Sequence, residues 1–370
     1  MASVAAPTNG VVPGLSVVGY GMWTALGPDG PATVAGLDAR LVASEVGGLW
    51  DPTSGTNLPA FRVAAHQWWT GPTFLPELIL PVLEECFAQV ATFEPSSLRR
   101  PAADVPVLLN LAPKDRPSRP ETLGADVLRA LAGKLGRALP EGSAAFDAGR
   151  VGLPFLLSRA AQQAQRHPVQ ILIGVESFVS QSIVDHYIGR NRLLCGANSS
   201  GFIVGEAAAA IIVVPAGASA GPELLIAGMG AGRETSRDGG SREAPVTAEG
   251  LTQAMRAALA AARTQYFDIP NLFGDLNGEH FKFKEAAIAT MRLDRVPPEN
   301  ASRRPRGHVE HWNAIEGLGE VGAALMPAQL GWAFEAGRSG RLPQGRAVMF
   351  AGEDDGMRVA MVTGMTRAAS

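Results

Sequence analysis

The chain has 370 residues, 46% hydrophobic and 18% charged, with a formal net charge of −3; that length calls for two lobes or one large two-part domain. The near-neutral charge excludes a nucleic-acid or anionic-membrane footprint, and no run of about 18 apolar residues is present to span a bilayer. "MASVAAPTNG" lacks the basic start and apolar core of a secretory signal, and the two cysteines, Cys86 and Cys195, form no disulfide framework, so a reducing cytoplasmic setting is expected.

Residues 1–13 are expected to be a disordered lead, followed by a first half over 14–215 and a second over 216–370. "GLSVVGYGMWTALG" alternates from strand into a glycine turn, and "GPATVAGLDARLV" continues as an amphipathic helix. Residues 44–74, rich in Gly, Pro, Thr and Trp, read as irregular covering loops, in which Trp68 and Trp69 either plug the core edge or anchor a partner peptide. "LPELILPVLEECFAQVATF" is a strong helix with Cys86 among its apolar positions, where it acts as a small hydrophobe. "VPVLLNLA" reads as a buried strand, and "GADVLRALAGKLGRAL" as a second helix. After "SAAFDAGRVG" come the helix "LPFLLSRAAQQAQR" and the strand "VQILIGVES". "NSSGFIVGEAAAAIIVVP" then passes from a polar turn into a wholly apolar run closed by Pro215, the pattern of a strand buried on both faces. Its four alanines, 207–210, require another element to pack very close.

The second half restarts with "ELLIAGMGAG", a strand into glycines that lacks the helix and acid of a dinucleotide site. A long Ala-rich helix, the short strand "NLFGDLNG" and the helix "FKFKEAAIATMRL" follow. Residues 294–311, with Arg295, Arg303, Arg304 and Arg306 among prolines, read as a solvated loop. "GEVGAALMPAQLGWAFEAG" is a glycine-started helix, and "AVMFAGEDDGMRVAMVTGM" closes the chain as two strands around an acidic turn. Strand–helix alternation in both halves predicts an α/β architecture, two copies of one plan without residue-level repetition.

Five segments in order resemble the β-ketoacyl synthases and thiolases: "VVGYGMWTALGPDGPATVAGL", "ILIGVESF", "RLLCGANSSGFIVGEAAAAIIV", "GLGEVGAA" and "MFAGEDDGMRVAMV". The resemblance implies a thiolase-like, five-layered αβαβα fold built from two similar halves. It also implies a cysteine nucleophile at a buried helix start, where the dipole lowers its pKa. Spacing back from "ILIGVES" puts that position at Gly149, or at Arg150 if the register slips, and neither attacks a thioester. Asp147 stands close, as an acylation candidate or a helix cap. The family's two histidines fall at Asn277, a relic of an oxyanion-hole asparagine, and at Gly319, which has no side chain. Glu353, Asp354 and Asp355 replace the glycine-rich gate loop. At a separation of about 5 Å, each would repel a carbanion or enolate by roughly 3 kcal/mol at an effective dielectric near 20. The same three carboxylates in a solvent-facing hairpin would be inert.

Cys195, Phe202 and Glu206 join Asp147, Glu353 and Asp354 as candidate pocket-lining residues; the pocket is expected to be either collapsed or open and unreactive, with collapse favoured if Arg150 turns inward toward Glu206 or the 353–355 carboxylates. His308 and His311, flanking Glu310, are metal-ligand candidates if helical, but spacing places no third ligand, and no metal or cofactor is expected. The resemblance extends to degenerate members of the type VI secretion-associated kind. It implies a non-catalytic binding or accessory protein, adaptor- or chaperone-like, for an effector. The alternatives are an acyltransferase-like acyl-thioester enzyme with a non-standard site, and a partner subunit of an active ketosynthase. A homodimer through the segment "SAAFDAGRV" is expected as well.

Overall fold

A computed structural model describes residues 10–64, 74–236, 239–241, 243–295, 307–342 and 345–366. Most of the expected lead, Trp68, Trp69, Arg303, Arg304 and Arg306 lie outside the described residues. The first half contains β1 (Leu15–Trp23), α1 (Gly30–Asp38), β2 (Glu45–Asp51), β3 (Thr56–Phe61), α2 (Leu75–Val90), β4 (Val107–Leu111), α3 (Leu123–Lys134) and β5 (Ala144–Asp147). It continues with α4 (Leu153–Gln163), β6 (Gln170–Ser177), α5 (Gln181–Gly189) and β7 (Val204–Pro215). The second contains β8 (Leu224–Arg233), α6 (Glu249–Ala261), β9 (Asn271–Phe273), α7 (His280–Asp294), β10 (Glu310–Trp312), α8 (Ile315–Leu318), α9 (Leu325–Arg338), β11 (Ala347–Gly352) and β12 (Met357–Met365). No helix among the described residues is long and apolar enough to cross a membrane.

Two equivalent sheets emerge from this list. The first runs β5-β4-β6-β7-β1 and the second β10-β9-β11-β12-β8. Leaving aside the β2–β3 hairpin, each half therefore has the order third, second, fourth, fifth, first. The senses match too: the first three strands of each sheet run parallel, and the last two pairings are antiparallel. The sheets meet edge to edge where Ser16 and Val17 of β1 pair with Leu225 and Leu224 of β8.

Alternation along the buried strands assigns their faces. Ala207, Ala209, Ile211 and Val213 of β7 join the central core with α4 and α9, while Ala208, Ala210, Ile212 and Val214 face the outer helices α2 and α3. In β11, Met349 and Ala351 face the centre, and Val348 and Phe350 face α6 and α7. The result is five layers: outer helices, sheet, the pair α4 and α9, sheet, outer helices. The alanines at 207–210 are thus pressed from both sides, by α9 and by α2.

Glycines set how closely the outer helices approach. In β8, Gly228, Gly230 and Gly232 share one face, and a Cβ on each would lie 2.3, 2.3 and 2.1 Å from backbone oxygens of α6. Gly21 of β1 is the counterpart against α2, where a Cβ would meet the Val82 carbonyl at 2.9 Å. The "GMGAG" glycines are therefore a packing seam.

Two segments depart from the sequence reading. Residues 45–61, expected to be irregular, form the hairpin β2–β3, and β3 docks parallel to β7 through Ala60↔Val204 and Phe61↔Gly205. Gly47, Gly48 and Pro59 hide this hairpin from a propensity reading. Within the expected 294–311 loop, Glu310–Trp312 forms the edge strand β10, paired with β9. Gly230→Val should lower stability by about 1–3 kcal/mol or more by overpacking against α6, measured as a shift in urea midpoint. Gly133→Ala in α3, whose Cβ would meet nothing within 4 Å, should instead raise stability by about 0.5–1 kcal/mol.

Candidate functional site

Loops from both halves converge at one end of the sheets and bring ionic side chains together. The short turn Gly149–Val151 carries Arg150 out of β5 into α4. The loop after β4 brings Arg116, the end of β6 Glu176, and the stretch after α5 Arg192. From the second half come Asn277 and Glu279 after β9, Glu320 after α8, and Glu353 and Asp354 in the β11–β12 turn.

Arg150 is the centre. Its Nε donates to Glu320 at 3.0 Å, its Nη1 to Glu353 at 2.7 Å, and its backbone N–H to the other Glu353 oxygen at 2.9 Å. Arg116 donates from Nε to Glu176 at 2.7 Å, from Nη2 to Glu353 at 3.3 Å, and from Nη1 to the Tyr187 hydroxyl at 3.1 Å. Arg192 grips Glu279 at 2.6 and 3.0 Å and reaches Asp354 at 3.0 Å. The Asn277 amide donates to Glu320 at 2.7 Å and to Glu279 at 3.1 Å. Phe178 lies under both Arg116 and Arg150, with ring-centre distances of 4.8 and 5.7 Å. Phe202 is fully buried 5.9 Å from the Arg192 guanidinium.

Burial and partners compete at each carboxylate. At Glu320 burial pushes the pKa up, but Arg150 and then Lys282 outweigh it and hold it at about 2. Burial likewise opposes ionisation of Asp354, and Arg150, Arg192 and Arg116 together keep its carboxyl well below the usual range. Glu176 goes the other way: burial raises it and Arg116 compensates only in part. Burial carries the Tyr187 hydroxyl up to about 12.

Little space is left for a substrate. A Cβ on Gly149 would stand 2.2 Å from a Glu353 oxygen and 2.8 Å from Pro113.

The sequence-predicted residues divide. Arg150, Asn277, Glu353 and Asp354 meet in the cluster, with Phe202 beneath it. Gly319 contributes a left-handed turn at φ +69°, and its neighbour Glu320 supplies the side chain. Asp355 turns outward to Arg233. Arg150 does not reach Glu206, whose carboxylate accepts from the Ser177 hydroxyl at 2.8 Å and the Val63 N–H at 3.2 Å. Glu206 therefore belongs to the junction of β6, β7 and β3, where burial raises its pKa. Asp147 pairs with Arg119 and caps no helix, since α4 begins at Leu153 with Gly152 as its N-cap and no side-chain cap. Cys195 sits half-buried in a turn closed by backbone bonds with Asn198, outside the ionic cluster. His311 lies on β10 and not on a helix, and both it and His308 are exposed, which removes the metal-ligand geometry considered for them.

Arg116, Glu176, Arg192, Glu279 and Glu320 are members that sequence reasoning missed. Charged residues closing apolar strands, as in "ILIGVES", or set among small residues, as in "GLGEVGAA", were the available signal.

Comparison with family models and with curated proteins finds no match. Solved structures do match, over nearly the whole chain. The ishigamide ketosynthase/chain length factor is 16% identical, with a TM-score of 0.63, covering 95% of this chain and 99% of that one. The ketosynthase ApeO in complex with its chain length factor ApeC, from Xenorhabdus doucetiae, is 13% identical with a TM-score of 0.68, covering 95% and 98%. The ketosynthase from module 6 of the bacillaene synthase of Bacillus subtilis 168 is 11% identical with a TM-score of 0.69, covering 95% and 72%. The chain has the thiolase-like fold of ketosynthases and chain length factors.

Removing Arg150 leaves Glu320 and Glu353 buried without their principal cation. Arg150→Ala should lower unfolding stability by about 3–5 kcal/mol, whereas Arg129→Ala, at an exposed i,i+3 pair, should change it by no more than about 0.5 kcal/mol; urea titration reads both. Glu206 supplies a pH test. Its folded pKa is raised, so its stabilising contribution is full below the unfolded value of about 4.3 and is lost as pH rises through the folded value. Glu206→Gln should accordingly gain stability relative to wild type as pH rises from 4 to 8, followed by denaturation midpoints across that range.

Proposed function

We propose that the chain is a non-catalytic, ketosynthase-fold subunit that pairs with an active ketosynthase. One observation carries the non-catalytic part: Glu353 occupies the space a nucleophilic side chain at 149 would need. The groups around it are already committed to one another. Arg150, Arg116 and Asn277 donate to carboxylates of the same cluster and offer no hole for a thioester oxyanion. An acyl-thioester enzyme would need a nucleophile elsewhere.

The partner reading is supported by the comparisons, which name ketosynthases together with chain length factors. They favour it over the effector-adaptor reading. An edge is available for pairing as well. β5 ends its sheet with β4 as its neighbour on one side, and all four of its residues are only half-buried. Such an edge, Ala144, Ala145 and Phe146 closed by Asp147 and unpaired by any strand among the described residues, is suited to pairing across a two-fold axis. A second copy of this chain would use the same edge in the absence of the ketosynthase.

Co-expression with an intact ketosynthase of the same cell should give a one-to-one complex by native mass spectrometry. Incubation of the purified chain with acyl-CoA or acylated carrier protein should leave its intact mass unchanged. A stoichiometric acyl increment, lost on changing a single residue, would overturn the non-catalytic reading, and failure of the two chains to associate would overturn the pairing.

A further inference from the structure

A second surface lies at the β2–β3 hairpin. β3 pairs with β2 on one side and β7 on the other, so among the described residues no strand covers the far edge of β2. Gln181, the first residue of α5, already treats that edge as a ladder. Its carboxamide oxygen accepts the Trp50 N–H at 2.9 Å, and its nitrogen donates to the Trp50 carbonyl at 2.8 Å. The backbone donor and acceptor of Trp50 therefore both point outward, as they do toward a neighbouring strand.

Past Gln181 the edge borders a cleft of about 530 Å³, between Glu45–Leu49 on one wall and Val179–Gln181 on the other. That volume lies within the roughly 300–1,000 Å³ of ligand-binding clefts. Val46 is 70% exposed on the strand wall, and Trp50 stands 48% exposed at its end. Arg62 also lines the cleft. Among the described residues its hydrogen bonding is a long 3.5 Å contact from Nη2 to the Gly47 carbonyl, and its charge acts on the buried Glu206 carboxylate from beyond ion-pair distance. Gly48 keeps the guanidinium uncovered, because a Cβ there would press within 3.2 Å of Nη2.

We propose that this cleft binds an extended acidic peptide segment of a partner protein, which adds a strand to the open edge of β2 and places a carboxylate on Arg62. Backbone pairing supplies affinity in this mode, and alternate side chains supply specificity. A carboxylate is the group that a half-buried guanidinium with no direct ion pair among the described residues selects. Glu45, at the far end of the strand wall, disfavours an acid there and so sets which part of the peptide carries the charge. The surface is independent of the β5 edge, so its test does not depend on ketosynthase pairing.

The probe is a fluorescein-labelled hexapeptide, Thr-Val-Asp-Val-Thr-Val, with versions carrying Asn or Lys in place of Asp, titrated with the full chain by fluorescence anisotropy. Saturable binding of the Asp peptide is expected, with the Lys version weaker by about tenfold or more, the scale of one lost charge-assisted hydrogen bond. Arg62→Gln should weaken the Asp peptide by a similar factor and erase the preference while the variant still melts cooperatively. Val46→Asp, at an exposed position on the edge, should weaken it too. Absence of saturable binding, equal affinity for the Asp and Lys peptides, or indifference to Arg62→Gln would overturn the proposal.

Discussion

An arginine sealed from water costs several kcal/mol unless carboxylates surround it with good geometry, and Arg150, with no exposed side-chain surface, stands under that demand. Its partners come from distant parts of the chain, Glu320 from the turn before α9 and Glu353 from the β11–β12 turn. Glu353 accepts the Arg150 backbone N–H only because Gly149 has no side chain in the way. The lack of a side chain at 149 and the presence of the ion pair are thus a single packing solution. The solution is incomplete: Arg150 Nη2 is buried with no hydrogen-bond partner among the described residues, and the Phe178 ring shares the guanidinium's surroundings.

The scaffold delivers these groups because its halves repeat one plan. Each places a short turn ahead of a central helix, Gly149–Val151 before α4 and Gly322–Ala324 before α9, and these turns face each other between the sheets. Glu176 ties the loop after β4 to the second of these turns, accepting from Arg116 in one half and from the Ala323 N–H in the other at 2.8 Å. Gly174, one turn of strand earlier, lets the Ala323 carbonyl approach so closely that a Cβ would lie 1.9 Å from it. Close backbone contact and charge pairing therefore fix the same junction.

Much of the fold was legible in the sequence because its central strands are buried on both faces and read as unbroken apolar runs, as in 207–214. The hairpin of 45–61 was not, since Gly47, Gly48 and Pro59 break the strand signal and its pairing with β7 is non-local. In the site, Gly149, Arg150 and 353–354 stood out as departures from the pattern of a family the chain resembles. Arg116, Arg192 and Glu279 did not. A lone charged residue in a loop looks solvated until the fold closes over it, and the partners of these three are 60, 87 and 87 positions away. Glu206 misled for the opposite reason: its place in "GFIVGEAAAA" suggested the site, but the carboxylate faces Ser177 and Val63.

A crystal of the protein soaked with a short acyl-pantetheine thioester at millimolar concentration examines the filled site directly. Density for Arg150 held between Glu320 and Glu353, with no thioester beside Gly149, is the predicted result. A thioester carbonyl seated next to Gly149, with Arg150 or Glu353 swung aside, would contradict it.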